Sequence, residues 1–194
     1  FRQLGRCQSL YTVERAAKLA PRLFCSQSRE SFVDPGAERP LTKRNPVMDI
    51  LQKNPYRLLG VYANSPTKER MANHNKLKAF LKVGKQVSYP LDLPQYLTSI
   101  DRDEATIAEA ESKLTLPKDQ LHYALFWFVN VTTLDSVAFK HLVAGKIEEA
   151  KAIWMKKACA SSLQNLIVCA LIQNDFSTAL SQAEQLYGNS NYLN

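Results

Sequence analysis

Two segments in the second half of the chain, residues 141–150 and 170–179, share one pattern at a fixed offset of 29 residues. Each copy holds a leucine, then a Gly or an Asn, then a bulky apolar residue and an alanine. Gly145 and Asn174 occupy the same place, and these residue types tolerate the left-handed conformation at a helix end. The alanine after each corner lets two helices approach closely. The pattern therefore predicts two helix–turn–helix corners, which constrain this part of the chain to helical hairpins.

Composition extends this expectation to an all-α fold. The 194 residues include only 6 glycines, and Ala, Leu, Lys, Glu and Gln dominate after residue 100, which favours helices over sheets. The two corners resemble tetratricopeptide hairpins, although that repeat usually has a period of about 34 residues and needs at least about three copies. We therefore expect tetratricopeptide-like hairpins over residues 131–194 that depend on the preceding helices for stability.

Start and stop signals predict further helices upstream of the hairpins. Ser65 is suited to be an N-cap and Pro66 to be the first helical residue. Asp101 or Asp103 opens the next helix, and Pro117 opens the one after it. The predicted helices cover residues 48–59, 65–83, 103–116 and 118–130. The last of them is apolar nearly all round, which is typical of a central core helix.

The region 48–130 carries two short motifs in order, with a basic helix between them. The first motif opens at Tyr56 and closes with Leu-Gly-Val, and the second extends from Ala110 to Tyr123. The signature residues are Tyr56, Leu59, Gly60, Ala110, Leu114, Pro117 and Tyr123. Together the motifs resemble the two ends of a J-domain, the small helical module of co-chaperones. The resemblance implies a J-like helical bundle over residues 48–130, packed against the tetratricopeptide-like hairpins.

One departure from the J-domain pattern bears directly on function. An active J-domain carries a His-Pro-Asp tripeptide after its second helix, and residues 84–94 hold Pro90 and Asp92 but no histidine. Glu111 and Gln120 also stand where the family commonly has an aromatic residue and an arginine. The resemblance therefore implies a non-catalytic scaffold or adaptor of co-chaperone type, without ATPase stimulation, whose partners are other proteins.

The predicted helix over residues 65–83 is rich in basic side chains. Its candidate partner-binding residues are Lys68, Arg70, Lys76, Lys78 and Lys82. Its thin apolar stripe is formed by Met71, Leu77, Phe80 and Leu81. Two interpretations are open, since such a helix can dock on an acidic partner surface or can simply present a solvated face.

The first 47 residues differ in composition from the rest. They hold nine Lys/Arg and four Asp/Glu, against sixteen and fourteen in residues 48–194, so most of the net charge of +7 belongs to the first segment. Three explanations are open: a targeting peptide, a basic arm for an acidic partner, or non-native sequence joined upstream of a true start at Met48. The composition break favours the third, or plain disorder. Because the remainder is nearly neutral, nucleic acid binding is not expected.

The alternative to a binding module is a helical domain that binds a small ligand or acts as an enzyme. Residues 85–102 form a long connection, and connections of this length are often functional. In this hypothesis the connection closes as a lid over a pocket lined by Tyr89, Tyr96, Tyr123 and Trp127. Nothing titratable converges there in the sequence, and no phosphate-binding loop or nucleophile motif is present, so we expect no enzymatic activity and no cofactor.

Cysteines and apolar runs carry two further expectations. Cys7, Cys25, Cys159 and Cys169 form no metal-binding spacing, so buried free thiols and no metal site are expected, as suits a reducing, cytoplasmic location. The three histidines add no ligand cluster. No apolar run reaches the roughly 18–20 residues of a membrane span.

Overall fold

The computed structural model describes residues 45–189, which are all helical apart from turns and extended connections. The α-helices are α1 Pro46–Gln52, α2 Pro55–Leu59, α3 Thr67–Lys82, α4 Glu104–Lys113, α5 Pro117–Ala124, α6 Thr133–Val143, α7 Ile147–Met155, α8 Ala160–Ile172 and α9 Phe176–Gly188. A short 3-10 helix covers Pro90–Asp92. The predictions for residues 1–44, including Cys7 and Cys25, lie outside the described residues. The all-α prediction is confirmed for residues 45–189.

The first predicted helix, residues 48–59, is wrong as a continuous element. It is divided into α1 and α2, each of which begins with an Asn-Pro pair. The side chains of Asn45 and Asn54 accept hydrogen bonds from the backbone N–H of Val47 and Tyr56. Pro55 forces the division, because its ring fixes φ and it has no N–H to continue the hydrogen-bond ladder of α1.

The structure also tests the predicted starts of the next three helices. Helix α3 begins at Thr67 rather than at Pro66, whose extended backbone makes it the cap, so the Ser65 cap prediction is wrong. Asp103 does cap α4, and it forms a reciprocal pair of hydrogen bonds with Thr106. Pro117 opens α5 as predicted.

The helix predicted over residues 118–130 is also wrong, because α5 ends at Ala124 and residues 125–130 are not helical. We call residues 125–130 the bridging segment. Phe126, Trp127 and Phe128 are nonetheless core residues, at most 6% exposed. A run of apolar side chains all round is typical of any buried segment, helical or extended. The prediction of burial was therefore right and the prediction of helix was not.

Side-chain amides satisfy the backbone polar groups that the missing helix leaves free. Asn165 on α8 accepts a hydrogen bond from the Val129 N–H and donates one to the Val129 carbonyl, both at 2.9 Å. Asn64 makes the same pair of bonds with Asn130, at 2.9 and 2.8 Å. Gln164 donates to the Leu125 carbonyl at 2.9 Å. The bridging segment is thus held on one side by the hairpin helices and on the other by the loop after α2.

The two corners predicted from the repeat are confirmed. Gly145 and Asn174 have φ of 81° and 59°, which is the left-handed conformation expected between α6 and α7 and between α8 and α9. Ala150 and Ala179, the small residues after the corners, are fully buried. Helix α8 lies at the centre of the packing, since every residue from Ser161 to Ile172 is buried. The core is one continuous cluster that extends from Leu51 on α1 to Leu186 on α9.

The left-handed corner gives a first prediction. Replacing Gly145 by alanine should lower the free energy of unfolding by about 1–2 kcal/mol, because an L-residue is strained at positive φ, while the new methyl group meets only Gln95 Cγ at 3.6 Å. Urea unfolding followed by circular dichroism measures the change. Gly145→Asn is the matched control and should cost clearly less, since Asn already occupies the equivalent corner at position 174. Equal losses in the two variants would contradict the backbone explanation.

The connection over residues 85–102 is an ordered arm fixed to the core, with Leu91, Leu93 and Leu97 buried. Arg102, 2% exposed, holds it in place. Its guanidinium binds the carboxylate of Asp92 and donates to the carbonyls of Leu58 at 2.8 Å and Arg57 at 3.1 Å. These carbonyls belong to the last turn of α2, so the arginine side chain caps that helix and ties the arm to it.

A second buried arginine supports the same junction. Arg57 donates to the Asp92 carbonyl at 2.6 Å and the Thr98 carbonyl at 2.7 Å. Burial lowers the pKa of Arg57 to about 10, with Asp92 opposing and Arg102 adding to the shift, so the side chain is still charged at neutral pH. Tyr89 lies over Gly60, which has φ of 67°, and no side chain larger than hydrogen fits there because a Cβ would be 2.3 Å from the ring.

Candidate docking surface

Helix α3 places its basic residues on different sides. Lys68, Lys76, Lys78 and Lys82 are exposed, and Arg70 is half-buried. Lys78 and Lys82 are four residues apart and lie on one side of the helix, and Met71, two turns before Lys78, lies on that side too. Lys76 is about 200° around the helix from Lys78. The five predicted partner-binding residues therefore do not form a single patch.

The lysines of α3 have no carboxylate partners within the described part of the chain, because its ion pairs are all formed by other residues. Lys76 lies 6.0 Å from the centre of the Phe80 ring. Glu69 is the only acidic residue in α3, whereas α4 carries Glu104, Glu109 and Glu111. The exposed side of α3 is thus an uncompensated positive surface beside an acidic helix.

An open cavity of about 360 Å³ lies where the first turns of α3 meet the end of α4. We call it the α3–α4 groove. The residues that line it include Leu59, Arg70, Met71, His74, Glu111 and Leu114. Leu59 and Leu114 are buried signature residues, and Met71 is 52% exposed. Of the thin apolar stripe predicted on this helix, Leu77 is fully buried, whereas Met71 is left uncovered because α4 ends at Lys113. The groove combines an apolar floor with charged walls.

One polar contact crosses the groove between the two helices. His74 Nδ1 lies 3.0 Å from Glu111 Oε2, with the histidine side chain 11% exposed and the glutamate 45% exposed. This contact joins α3 to the last turn of α4 along one wall of the groove.

Hydrogen bonds join the α2 region to α5 beside the groove. The Tyr56 hydroxyl donates to the Gln120 carbonyl at 3.2 Å, and the Asn54 side chain donates to the Tyr123 carbonyl at 3.0 Å. Burial raises the pKa of Tyr56, and the nearby Arg70 opposes the shift. Ala110 packs in the core and Pro117 begins α5. These contacts join α2, α4 and α5 into the support on which α3 lies.

The four aromatic residues predicted to line a ligand pocket do not line either of the two cavities described for residues 45–189. Trp127 is fully buried and donates to the Val61 carbonyl at 3.0 Å, while the Tyr89 ring lies over Gly60 and 5.2 Å from the Arg102 guanidinium carbon. Neither the groove nor a second cavity of about 380 Å³ beside Lys53 and Lys113 is lined by any of the four. The second cavity carries both positive and negative side chains, with Lys113 paired to Glu109 at 2.6 Å.

Residues 45–189 contain two free cysteines, Cys159 and Cys169. Burial raises the pKa of the Cys169 thiol, which is fully buried as expected. Cys159 is only half-buried and lies at the start of α8, where the hydroxyl of Ser162 is 3.2 Å away. No group of His, Cys, Asp and Glu in this range is arranged to hold a metal ion. No helix in it has the length and apolar character needed to cross a bilayer.

Comparison with known proteins gives no match: no family model, no curated protein and no solved structure is similar to this chain.

Proposed function

We propose that this chain is a non-catalytic protein-interaction module, a scaffold or adaptor of co-chaperone type, that docks other proteins on the exposed side of α3. The observation that carries the proposal is the row of exposed lysines without carboxylate partners within the described range, of which Lys78 and Lys82 lie on one side. A single exposed lysine is mobile and fully hydrated. Two lysines on one side of the same helix keep a fixed spacing and form a positive surface. Such a surface steers and orients an acidic partner.

The arrangement of α2, α3, α4 and α5 supports the J-like part of the proposal. Four of the signature residues belong to the buried core, namely Tyr56, Leu59, Ala110 and Leu114. Helix α3 lies against α4, with Leu77 and Ile107 fully buried. Residues 84–94 carry no His-Pro-Asp tripeptide, so the proposal includes no stimulation of a heat-shock ATPase. The free, buried thiol of Cys169 is compatible with a cytoplasmic location, which stays part of the proposal.

The interpretation as an enzyme or ligand-binding domain has less support. The arm over residues 85–102 would need to move as a lid, and the two buried arginines tie it to α2 through several hydrogen bonds. Opening it would break these hydrogen bonds and would expose the buried side chains of Leu91, Leu93 and Leu97 to water, which is costly. We therefore retain the binding module as the proposed function.

Charge reversal on α3 tests the proposal. The double variant Lys78→Glu/Lys82→Glu should recover at least about tenfold less partner protein than the unchanged chain when both are immobilised and exposed to a cell lysate. Each exposed ion pair contributes up to about 1 kcal/mol, and reversal replaces two attractions by two repulsions, so tenfold is a conservative expectation. Quantitative mass spectrometry of the captured proteins gives the measurement.

The matched control is Lys156→Glu/Lys157→Glu, the same charge change on exposed residues after α7. It should leave the capture unchanged. Equal losses in the two double variants would show that only net charge matters and would contradict docking on α3. Recovery of no protein above background by the unchanged chain would contradict the proposed function itself.

A further inference from the structure

Arg70 is placed differently from the lysines of α3. It is half-buried in the wall of the α3–α4 groove, and its guanidinium donates to Thr67 Oγ1 at 3.0 Å on its own helix. It also interacts with the Tyr56 hydroxyl, whose pKa it lowers against the effect of burial, and these two contacts use only part of its five N–H donors. No carboxylate within residues 45–189 forms an ion pair with it. The groove's own carboxylate, Glu111, is paired with His74. A partly desolvated guanidinium with donors to spare is therefore a site for an external anion.

The floor beside Arg70 is apolar. Leu59 and Leu114 form its base, and Met71 forms a rim that is more than half exposed. A methionine that stays exposed can cover an apolar ligand group, and its flexible thioether adapts to different shapes. The cavity volume of about 360 Å³ is near the low end of the range of about 300–1,000 Å³ for ligand sites, so it fits one large side chain rather than a cofactor.

The groove continues into the exposed side of α3. Lys78 and Lys82 lie on the same side of the helix as Met71, about two and three turns further along. A segment anchored in the groove and following α3 would therefore meet positive charge along its length. This placement favours an acidic segment over a neutral or basic one.

We propose that the α3–α4 groove binds an acidic peptide segment of a partner protein, with one large apolar side chain over Leu59, Met71 and Leu114 and a carboxylate against Arg70. The proposal rests on the proposed function and adds to it the chemistry of the bound segment. The neighbouring acids of the segment lie along Lys78 and Lys82. Arginine is needed at position 70 because two parallel N–H donors bind a carboxylate in a fixed orientation.

The three methionines of the chain make a direct test possible. The full chain, labelled with ¹³C at the methionine methyl groups, is titrated with an acetylated octapeptide that carries one phenylalanine followed by glutamates. The Met71 methyl signal should shift and saturate with a Kd on the order of 0.1 mM, while Met48 and the 63% exposed Met155 should not shift. The matched peptide with glutamine in place of every glutamate should bind at least about tenfold more weakly, since it offers Arg70 no charged acceptor and the lysines no negative charge.

Variants separate the role of Arg70 from charge in general. Arg70→Gln should weaken binding at least about tenfold, and Arg70→Lys should restore only part of it. Lys76→Gln removes one positive charge from the other side of α3 and should leave the affinity within about twofold. Unchanged Met48 and Met155 signals in each free variant show that it is folded.

Three results would overturn the groove proposal. They are no saturable Met71 shift at millimolar peptide, equal binding by the glutamine peptide, and equal binding by Arg70→Gln. These outcomes are distinguishable from failure of the proposed function, because partner capture that depends on Lys78 and Lys82 can persist when the groove binds no peptide. Conversely, the chain could show a saturable Met71 shift but no capture of protein that depends on Lys78 and Lys82. This result would support peptide binding in the groove and would contradict docking on the lysines.

Discussion

Replacing Arg102 by alanine is expected to lower the free energy of unfolding by about 3–5 kcal/mol, the largest effect of any single substitution considered for this chain. The change would leave the Asp92 carboxylate, 14% exposed, without its cation. It would also remove the donors to the carbonyls of Leu58, Arg57 and Val87. Breaking a buried pair by removing one partner is costly because the other group stays buried and uncompensated.

Urea unfolding at neutral pH gives this change, and hydrogen exchange of the arm over residues 85–102 shows where it acts. Arg102→Lys should recover little of the loss, since one ammonium group cannot reach five acceptors on three chain segments. Lys78→Ala is the control and should cost less than about 1 kcal/mol, because Lys78 is exposed and forms no ion pair among residues 45–189. A loss below about 1 kcal/mol for Arg102→Ala would show that the arm is held by its leucines alone.

Replacing Asn165 by alanine should cost about 3 kcal/mol. Asn165 is fully buried, and its amide satisfies both the N–H and the carbonyl of Val129. It also donates to Asp135 Oδ1 at 3.2 Å, on a carboxylate that is itself fully buried. Each buried polar group left without a partner costs about 1–3 kcal/mol.

Asn64 offers a control with the same geometry in a different environment. Its amide makes the same two bonds to Asn130, but the pair is exposed to water. Asn64→Ala should therefore cost less than about 1 kcal/mol, because water replaces the lost bonds. Thermal and urea unfolding of the two variants compare them directly. Similar losses for both would mean that burial is not what gives Asn165 its importance.

The two corners and the helix starts at Asp103 and Pro117 could be predicted because they depend on local chemistry. Gly145 and Asn174 fix the turns by their own backbone preferences, and Asp103 and Pro117 fix helix starts by capping and by the proline ring. Such signals are contained within a few residues. They hold whatever the rest of the chain does, which is why the repeat offset of 29 residues led to the right elements.

The bridging segment could not be predicted, because its conformation depends on distant residues. The apolar side chains of Phe126, Trp127 and Phe128 fit a buried helix and a buried extended segment equally well. The choice is made by the amides of Asn165 and Asn64, which lie 36 and 66 residues away in the sequence from the residues that they bind. The residues next to each Asn in the sequence give no indication of this role.

The groove shows the same limit. Arg70 was recognised as a candidate partner residue, but only as one of five basic side chains. Its half-buried position, and the exposure of Met71, follow from where α4 ends and from the pairing of Glu111 with His74. These features depend on tertiary contacts, so they could not be predicted from the basic composition of α3.

The continuous burial of α8 limits where another molecule can bind the hairpins. Stacked helical hairpins commonly offer the inner side of such a helix to an extended ligand. Here that position is already filled, because the amides of Gln164 and Asn165 hold the backbone of residues 125–129 much as they would hold a foreign peptide. Residues 125–129 thus occupy, within the same chain, a position on α8 that an extended ligand could otherwise fill. Removal of these residues would expose the apolar and amide side chains of α8 to solvent.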